Sequence, residues 1–232
     1  MAFMSESSRL PCSNPRWEDP EIVAEFRSRE PDHRLAELLD SVDNPASLTA
    51  LDLGCAGGRN AELLARRGCS VLAADLSPAM VDATRQRLAP IIGQEEAEKR
   101  VSRTSMTDLS HIPDGSIDLV VALGIYHQAS SLDEWDLAIA ETGRVLRPGG
   151  LLLSAQCGPG TDLTGEHGRR VEGEDHVYTI REGSRVVLFD SEELDRRMAD
   201  RGFFPHSPSA KVERPHDPAG RRVTINSLYQ KS

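Results

Sequence analysis

Leu51-Asp52-Leu53-Gly54-Cys55-Ala56-Gly57-Gly58-Arg59-Asn60 passes from an apolar run into a cluster of small residues and then into a helix-forming stretch. Read as strand, turn and helix, it makes a cradle. Small residues let the backbone approach a ligand closely, and the N-terminus of the following helix offers free N–H groups to a polar or anionic group. Asp75 ends the next apolar run, VLAA (71–74), 21 residues after Gly54. A carboxylate at that place can accept from both hydroxyls of a ribose. Turn and acid together predict a site for an adenosine-type cofactor. The three positions that a dinucleotide fingerprint fills with glycine are here Gly54, Ala56 and Arg59. Arginine does not suit a close helix–strand contact, so a nicotinamide dinucleotide fits poorly.

Outward from this stretch the chain keeps the same rhythm. Short continuous apolar runs at 50–53, 71–74, 117–123 and 151–155 read as buried parallel strands. Between them lie helical patterns at 60–66, at 78–88 behind Ser77-Pro78, and at 132–146, where Leu132, Trp135, Ile139, Thr142 and Leu146 recur at helical steps. Arg147-Pro148-Gly149-Gly150 then turns the chain into its next strand. Alternation of this kind predicts a doubly wound α/β sheet over residues 47–232. Residues 1–46 hold a polar arm and two apolar helical faces, Ile22/Val23/Phe26 and Leu35/Leu38/Leu39/Val42, and read as a helical appendage. An insertion over about 157–189 carries a hairpin of VYTI and RVVLF, a helix starts at Asp190-Ser191-Glu192-Glu193, and VTINSLY (223–229) is expected as an edge strand.

The turn resembles that of class I S-adenosylmethionine-dependent methyltransferases, whose first motif is an acidic residue followed by spaced glycines. Three more segments are similar to the family in order: ADLSPAMVDATRQRL (74–88), SMTDLSHIPDGSIDLVVALGIYHQ (105–128) and RVLRPGGLLLSA (144–155). The resemblance implies a seven-stranded Rossmann-like sheet and S-adenosyl-L-methionine as cofactor. It implies cofactor contacts at Asp52, Gly54, Cys55, Ala56, Gly57, Gly58 and Arg59 in the first motif, and at Asp75 and Leu76 in the second. Met106, Thr107, Asp108, Leu109 and Leu123 follow in the adenine segment and fourth strand. Asp108 would accept from the adenine amine; its bland alternative is a loop Asp capping a turn. The Gly-Arg-Asn tail also resembles tellurite-resistance-type methyltransferases, with Arg59 facing the cofactor carboxylate. Ala56 stands where the family usually has glycine.

His127 and Tyr126, at the carboxyl end of the fourth strand, are the candidate catalytic residues, with His127 as a base for the acceptor proton. Cys55 reads as a small packing residue. Glu166-His167 invites a metal reading that no second ligand pair supports, so no metal is expected. A net charge of −10 over 232 residues and only 4% aromatics count against a nucleic-acid substrate. So does Gly124-Ile125-Tyr126-His127, where amino-directed base methyltransferases carry Asn/Asp-Pro-Pro-aromatic. The basic residues of 211–232, Lys211, Arg214, Arg221, Arg222 and Lys231 against Glu213 and Asp217, leave open a solvated edge strand or a rim for an acidic acceptor. Four scattered cysteines, no signal-like N-terminus and no membrane-length apolar run predict a cytoplasmic chain acting on a small molecule. The other reading is a non-catalytic binder of S-adenosylmethionine or S-adenosylhomocysteine. Trp17, Phe26 and the loop after Cys157 are expected to form a lid.

Overall fold

The computed structural model describes residues 14–162, 168–180, 183–216 and 220–232. Two helices, α1 (Pro20–Ser28) and α2 (His33–Asp40), come first. They lead into β1 (Thr49–Leu53), α3 (Arg59–Arg66), β2 (Ser70–Asp75), α4 (Pro78–Ile92), α5 (Gln94–Arg100), β3 (Val101–Arg103), β4 (Ile117–Leu123), α6 (Leu132–Val145) and β5 (Leu146–Cys157). The chain continues through β6 (Arg169–Arg170), β7 (Val177–Ile180), β8 (Ser184–Val187), α7 (Ser191–Ala199), β9 (Phe203–Pro205), β10 (Ala210–His216) and β11 (Gly220–Lys231).

The main sheet runs β3-β2-β1-β4-β5-β11-β10, with β9 paired to β11. Its first five strands are parallel, as the buried apolar runs predict, and β11 joins β5 antiparallel. The strand order reverses between β1 and β4, which opens a crevice at their carboxyl ends. Helix termini follow their sequence signals. Ser77 accepts from Met80 N–H, Ser131 from Glu134 N–H and Asp190 from Glu193 N–H, closing α4, α6 and α7. On one sheet face α6 buries Trp135, Ala138, Ile139 and Val145, with Trp135 edge-on to Phe189 at 4.9 Å between centroids. On the other face α2 and α3 bury Leu35, Leu39 and Leu64 against Ala50, Val71 and Leu119. Each such side chain contributes about 1.5–3 kcal/mol of burial.

Three differences from the sequence reading have local causes. Residues 223–229 are not an edge strand: Ser227 pairs with Ser154 of β5 while Val223 pairs with Glu213 of β10. The covering strand β10 was hidden because Lys211, Glu213, Arg214 and Pro215 break any apolar alternation. The sheet counts eight strands rather than seven, the extra one being the three-residue β9. Helix α5 and strand β3 are also additions, because α5 buries only Ala97 and β3 is three residues long. The expected hairpin forms, with Val177 opposite Val187, but it belongs with β6 to a separate three-stranded sheet. Cys12, Glu166 and His167 lie outside the described residues. Among the described residues no helix is long and apolar enough to cross a membrane.

Helix α2 therefore holds the segment that precedes β1 onto the sheet, mainly through Leu35 and Leu39. Leu35→Ala is expected to cost about 2–5 kcal/mol in urea unfolding. A loss within the roughly 0.5 kcal/mol typical of surface substitutions would mean that α2 is not docked in solution.

Candidate active site

The glycine turn departs from β1 with positive φ at Gly54 (+73°), Ala56 (+47°) and Gly58 (+76°). Its first N–H groups are taken by the neighbouring strand, since Gly54 N and Cys55 N both donate to Ala74 O. The next is taken by the strand-end acid. Ala56 N–H donates to Asp75 Oδ2 at 2.9 Å, and Ser77 N–H donates to Asp75 Oδ1 at 2.9 Å. Burial pushes the Asp75 carboxyl up, and these N–H groups oppose it. Asp52, fully buried in β1, accepts from Ala61 N–H at 3.0 Å and so ties the first turn of α3 to the sheet. Burial raises its pKa to about 7, against the pull of that N–H and of Arg59.

The small residues of the turn are contact points. A Cβ at Gly57 would stand 2.6 Å from the carbonyl carbon of Phe26, so α1 lies directly on the turn. At Gly54 it would meet Ile125 Cβ at 2.9 Å, and at Gly58 the Thr84 backbone at 3.0 Å. The N-terminal segment is fastened here by polar bonds: Ser77 Oγ donates to Trp17 O, Arg87 to Arg27 O, Arg59 to Glu30 O at 2.7 Å, and Asp32 N–H to Asn60 Oδ1 at 3.0 Å. Trp17 meets Phe26 edge-on at 5.6 Å, and the Arg29 guanidinium sits 3.9 Å over the Phe26 ring.

The remaining candidates divide between the core and the cleft. Tyr126 is fully buried, and its hydroxyl is 2.7 Å from Thr142 Oγ1 on α6, with its ionisation suppressed by burial. It fixes the turn after β4 instead of offering a proton to a ligand. The Cys55 thiol is likewise buried and pushed well up by burial and by the nearby Asp75 and Asp52. Met106 and Leu109 belong to the core cluster under β4, and the Thr107 hydroxyl bonds Ser105 Oγ. Leu76 O accepts from Arg103. Asp108 is exposed, its carboxylate accepting from Ser110 N–H at 3.2 Å, which holds its pKa down.

Beside the turn a cleft of about 540 Å³ is lined by Arg59, by Leu123, Gly124 and His127 at the end of β4, and by Cys157 of β5. Segment 29–34 and the β10–β11 strands complete its walls. His127 is 5% exposed. The Gln128 side-chain N lies 3.1 Å from His127 Nε2, a hydrogen bond whose direction is set by the ring tautomer. Nδ1 is buried with no well-formed hydrogen bond. Burial opposes ionisation of the Cys157 thiol, yet the adjacent His127 ring, Arg222 and the Thr161 hydroxyl outweigh it and bring the thiol to about 7. Sequence reasoning missed Cys157 and Asn226 as cleft residues, whereas the basic residues of 211–232 were left open as a solvated edge strand or a rim, and of these Arg214 and Arg222 line the cleft. Among the described residues no cluster of three or more His, Cys, Asp or Glu is placed to hold a metal.

A family model described as a methyltransferase domain matches residues 51–154, the span from β1 to β5. Malonyl-[acyl-carrier protein] O-methyltransferase of Serratia marcescens is 32% identical over 131 residues, 55% of this chain and 46% of that protein. The tRNA N(3)-methylcytidine methyltransferase trm140 of Schizosaccharomyces pombe is 28% identical over 165 residues, 68% of this chain and 52% of that protein. The chain thus spans about half the length of these curated relatives. Among solved structures, a SAM-dependent methyltransferase from Methanosarcina mazei superposes with a TM-score of 0.63 at 19% identity, over 84% of this chain and 96% of that one. At that identity the likeness is one of fold.

The buried Asp52 makes stability depend on pH in a direction opposite to that of a salt-bridged carboxylate. Its folded pKa of about 7 lies above the unfolded value near ~3.9, so the unfolded state gives up the proton first. The contribution of Asp52 is therefore whole below about pH 4 and is lost as pH rises through about 7. Asp52→Asn keeps an acceptor for Ala61 N–H without the charge. Urea unfolding of both proteins across this range should show the parent losing stability relative to the variant as pH rises; parallel curves would refute the buried, uncompensated carboxyl.

Proposed function

We propose that this chain, whose residues 51–154 form a domain of the class I S-adenosylmethionine-dependent methyltransferase family, transfers the sulfonium methyl of that cofactor to a small-molecule acceptor. The observation that carries this reading is that Arg59 of the glycine turn and the β4 end at Leu123-Gly124 and His127 line one cleft. The helix start behind the turn thereby meets the space at the end of β4. A volume of about 540 Å³ is in the range of small-ligand pockets.

The residues present suit the cofactor. The Asp75 carboxylate, already aligned by two N–H groups, keeps lone pairs for a ribose diol, and Arg59 stands where it can meet the amino-acid carboxylate. When bound, S-adenosylmethionine supplies an electrophilic methyl: a lone pair of the acceptor forms the new bond to carbon as the carbon–sulfur bond breaks, its electrons passing to sulfur. The work of the protein is then alignment and exclusion of water. Segment 14–34, fastened over the turn, and the walls around His127 serve that end. Among the described residues no carboxylate is hydrogen-bonded to the His127 ring to orient it as a base, so the cleft is read as orienting the acceptor instead of deprotonating it. A tRNA methyltransferase stands among the relatives, but the acidic chain, at −10, favours a small acceptor over a polynucleotide.

Three measurements test this reading. Screening small carboxylates, phenols, amines and thiols for formation of S-adenosylhomocysteine should yield an acceptor; tight cofactor binding with no product from any class would favour a non-catalytic binder. By calorimetry, Asp75→Ala should weaken S-adenosylmethionine binding by about 1.5–3 kcal/mol for each lost charge-assisted bond, and unchanged affinity would remove Asp75 from the site. His127→Ala should lower kcat by less than about tenfold, whereas a loss of about 10²–10⁴ would identify a general base.

A further inference from the structure

One wall of the cleft is built by β10 and β11, and its chemistry is unusual for so acidic a chain. Alternation along β11 sends Val223, Ile225 and Tyr229 into the core, while Arg222, Thr224 and Asn226 line the cleft. In β10, Val212 and Arg214 line it too. Arg214 and Arg222 are direct cross-strand partners. Like charges placed opposite each other on a sheet are destabilising. Neither guanidinium has a hydrogen bond or ion pair among the described residues, because Glu213 is taken by Lys211 and Arg221. The carboxylates that line the cleft are Glu30 and Asp32, and Asp32 is held by a two-bond contact from Arg34. Two residues of the cleft wall each bury a polar atom without a hydrogen-bond partner, Asn226 at Oδ1 and His127 at Nδ1.

We propose that Arg214 and Arg222 form a subsite for an oxyanionic group, carboxylate or phosphate, on the acceptor, with Asn226 and His127 completing the polar contacts toward the reacting atom. This rests on the methyltransferase reading above and narrows its acceptor to an anion. A pair of guanidiniums on adjacent strands matches the spread of an oxyanion's oxygens, and neutralising two like charges at once removes their mutual repulsion. The oxyanion is a handle and not the methylated atom. Two guanidiniums draw electron density from the oxygens they hold, which makes those oxygens poor nucleophiles. The reacting atom belongs deeper, between the β4 end and Arg59.

The test uses the full chain saturated with S-adenosylhomocysteine, labelled at arginine side chains, and titrated with glutarate, with inorganic phosphate and with uncharged glutaramide. Arginine Nε–H resonances, assigned from Arg214→Gln and Arg222→Gln, report the site by NMR. Saturable shifts of both signals are expected with glutarate or phosphate and not with glutaramide; which of the two binds tighter tells carboxylate from phosphate. The double variant should lose at least about tenfold in affinity for that anion while keeping its urea midpoint and its affinity for S-adenosylhomocysteine. Absence of saturable shifts with both anions overturns the proposal. So does an equal response to glutaramide, or a loss of S-adenosylhomocysteine affinity in Arg222→Gln that matches the loss of anion affinity, which would assign that arginine to the cofactor carboxylate. If the parent chain fails to bind S-adenosylhomocysteine, the methyltransferase reading falls, and titration of the cofactor-free chain still decides the anion subsite.

Discussion

The two oxygens of Asp75 each accept a backbone N–H, one from Ala56 in the glycine turn and one from Ser77 at the start of α4. This one carboxylate therefore joins the end of β2 to the turn after β1 and to the helix that follows. Its burial would drive it toward the neutral form, and the convergent N–H dipoles are what let it persist as an acceptor. The turn can meet these N–H demands only with residues that adopt positive φ, and it does so at Gly54, Ala56 and Gly58. Ala56 bears the cost of a side chain in that region, about 1–2 kcal/mol. Once the turn is set, other elements lock against it: Ile125 over Gly54, the α1 backbone over Gly57 and Thr84 against Gly58. The Thr84 hydroxyl then donates to Ala56 O at 2.7 Å and closes the ring of contacts. Loosening the carboxylate would release all of them.

The parts of this arrangement that were legible in the chain are those in which residue type dictates backbone behaviour. Apolar runs long enough to be buried on both faces announced β1, β2, β4 and β5, and Ser77-Pro78 and Asp190 announced helix starts. The turn was legible for the same reason, since a run of Gly, Cys, Ala, Gly, Gly has little use except close approach. What escaped notice were elements held by partners rather than by their own pattern. Strand β10 carries charges and a proline and becomes a strand because β11 offers it seven paired residues. Helix α5 is polar on nearly all sides and is held by Ala97 and by ion pairs such as Lys99 with Glu95. The placement of Tyr126 was illegible in another way. Tyr126 and His127 are consecutive, and the short helical turn at Tyr126–Gln128 sends one into the core against α6 and leaves the other on the cleft.

That missed strand is also the reason the basic residues of 211–232 could be read only as either a solvated edge strand or a rim. With net charge −10, most arginines are consumed in pairs: Arg144 with Glu141 and Asp114, Arg87 with Glu62, Arg185 with Glu174, Arg196 and Arg197 with Glu193. The cleft reverses this balance, with five arginines and two carboxylates along its wall. Exposed pairs of that kind are each worth little to stability, so their main effect is to silence charge over the surface. Charge left unsilenced stands out at the cleft, where nearby low-dielectric walls strengthen its attraction for an anion.

These features define a division of labour along the cleft. At the turn, backbone N–H groups and Asp75 hold one another by directed hydrogen bonds. At the β10–β11 wall, Arg214 and Arg222 supply charge. Between them sit His127 and Cys157, close enough for the ring to favour the thiolate despite burial. Arg222 and the His127 ring both act on that thiol, which they bring to about 7. Under the proposed subsite, an anionic handle held at Arg214 and Arg222 would leave the β4 end to the less charged part of the same molecule, and the acceptor would be oriented by that gradient of charge. A group that needs only alignment, and no proton removed by the protein, is the kind of nucleophile such a gradient serves.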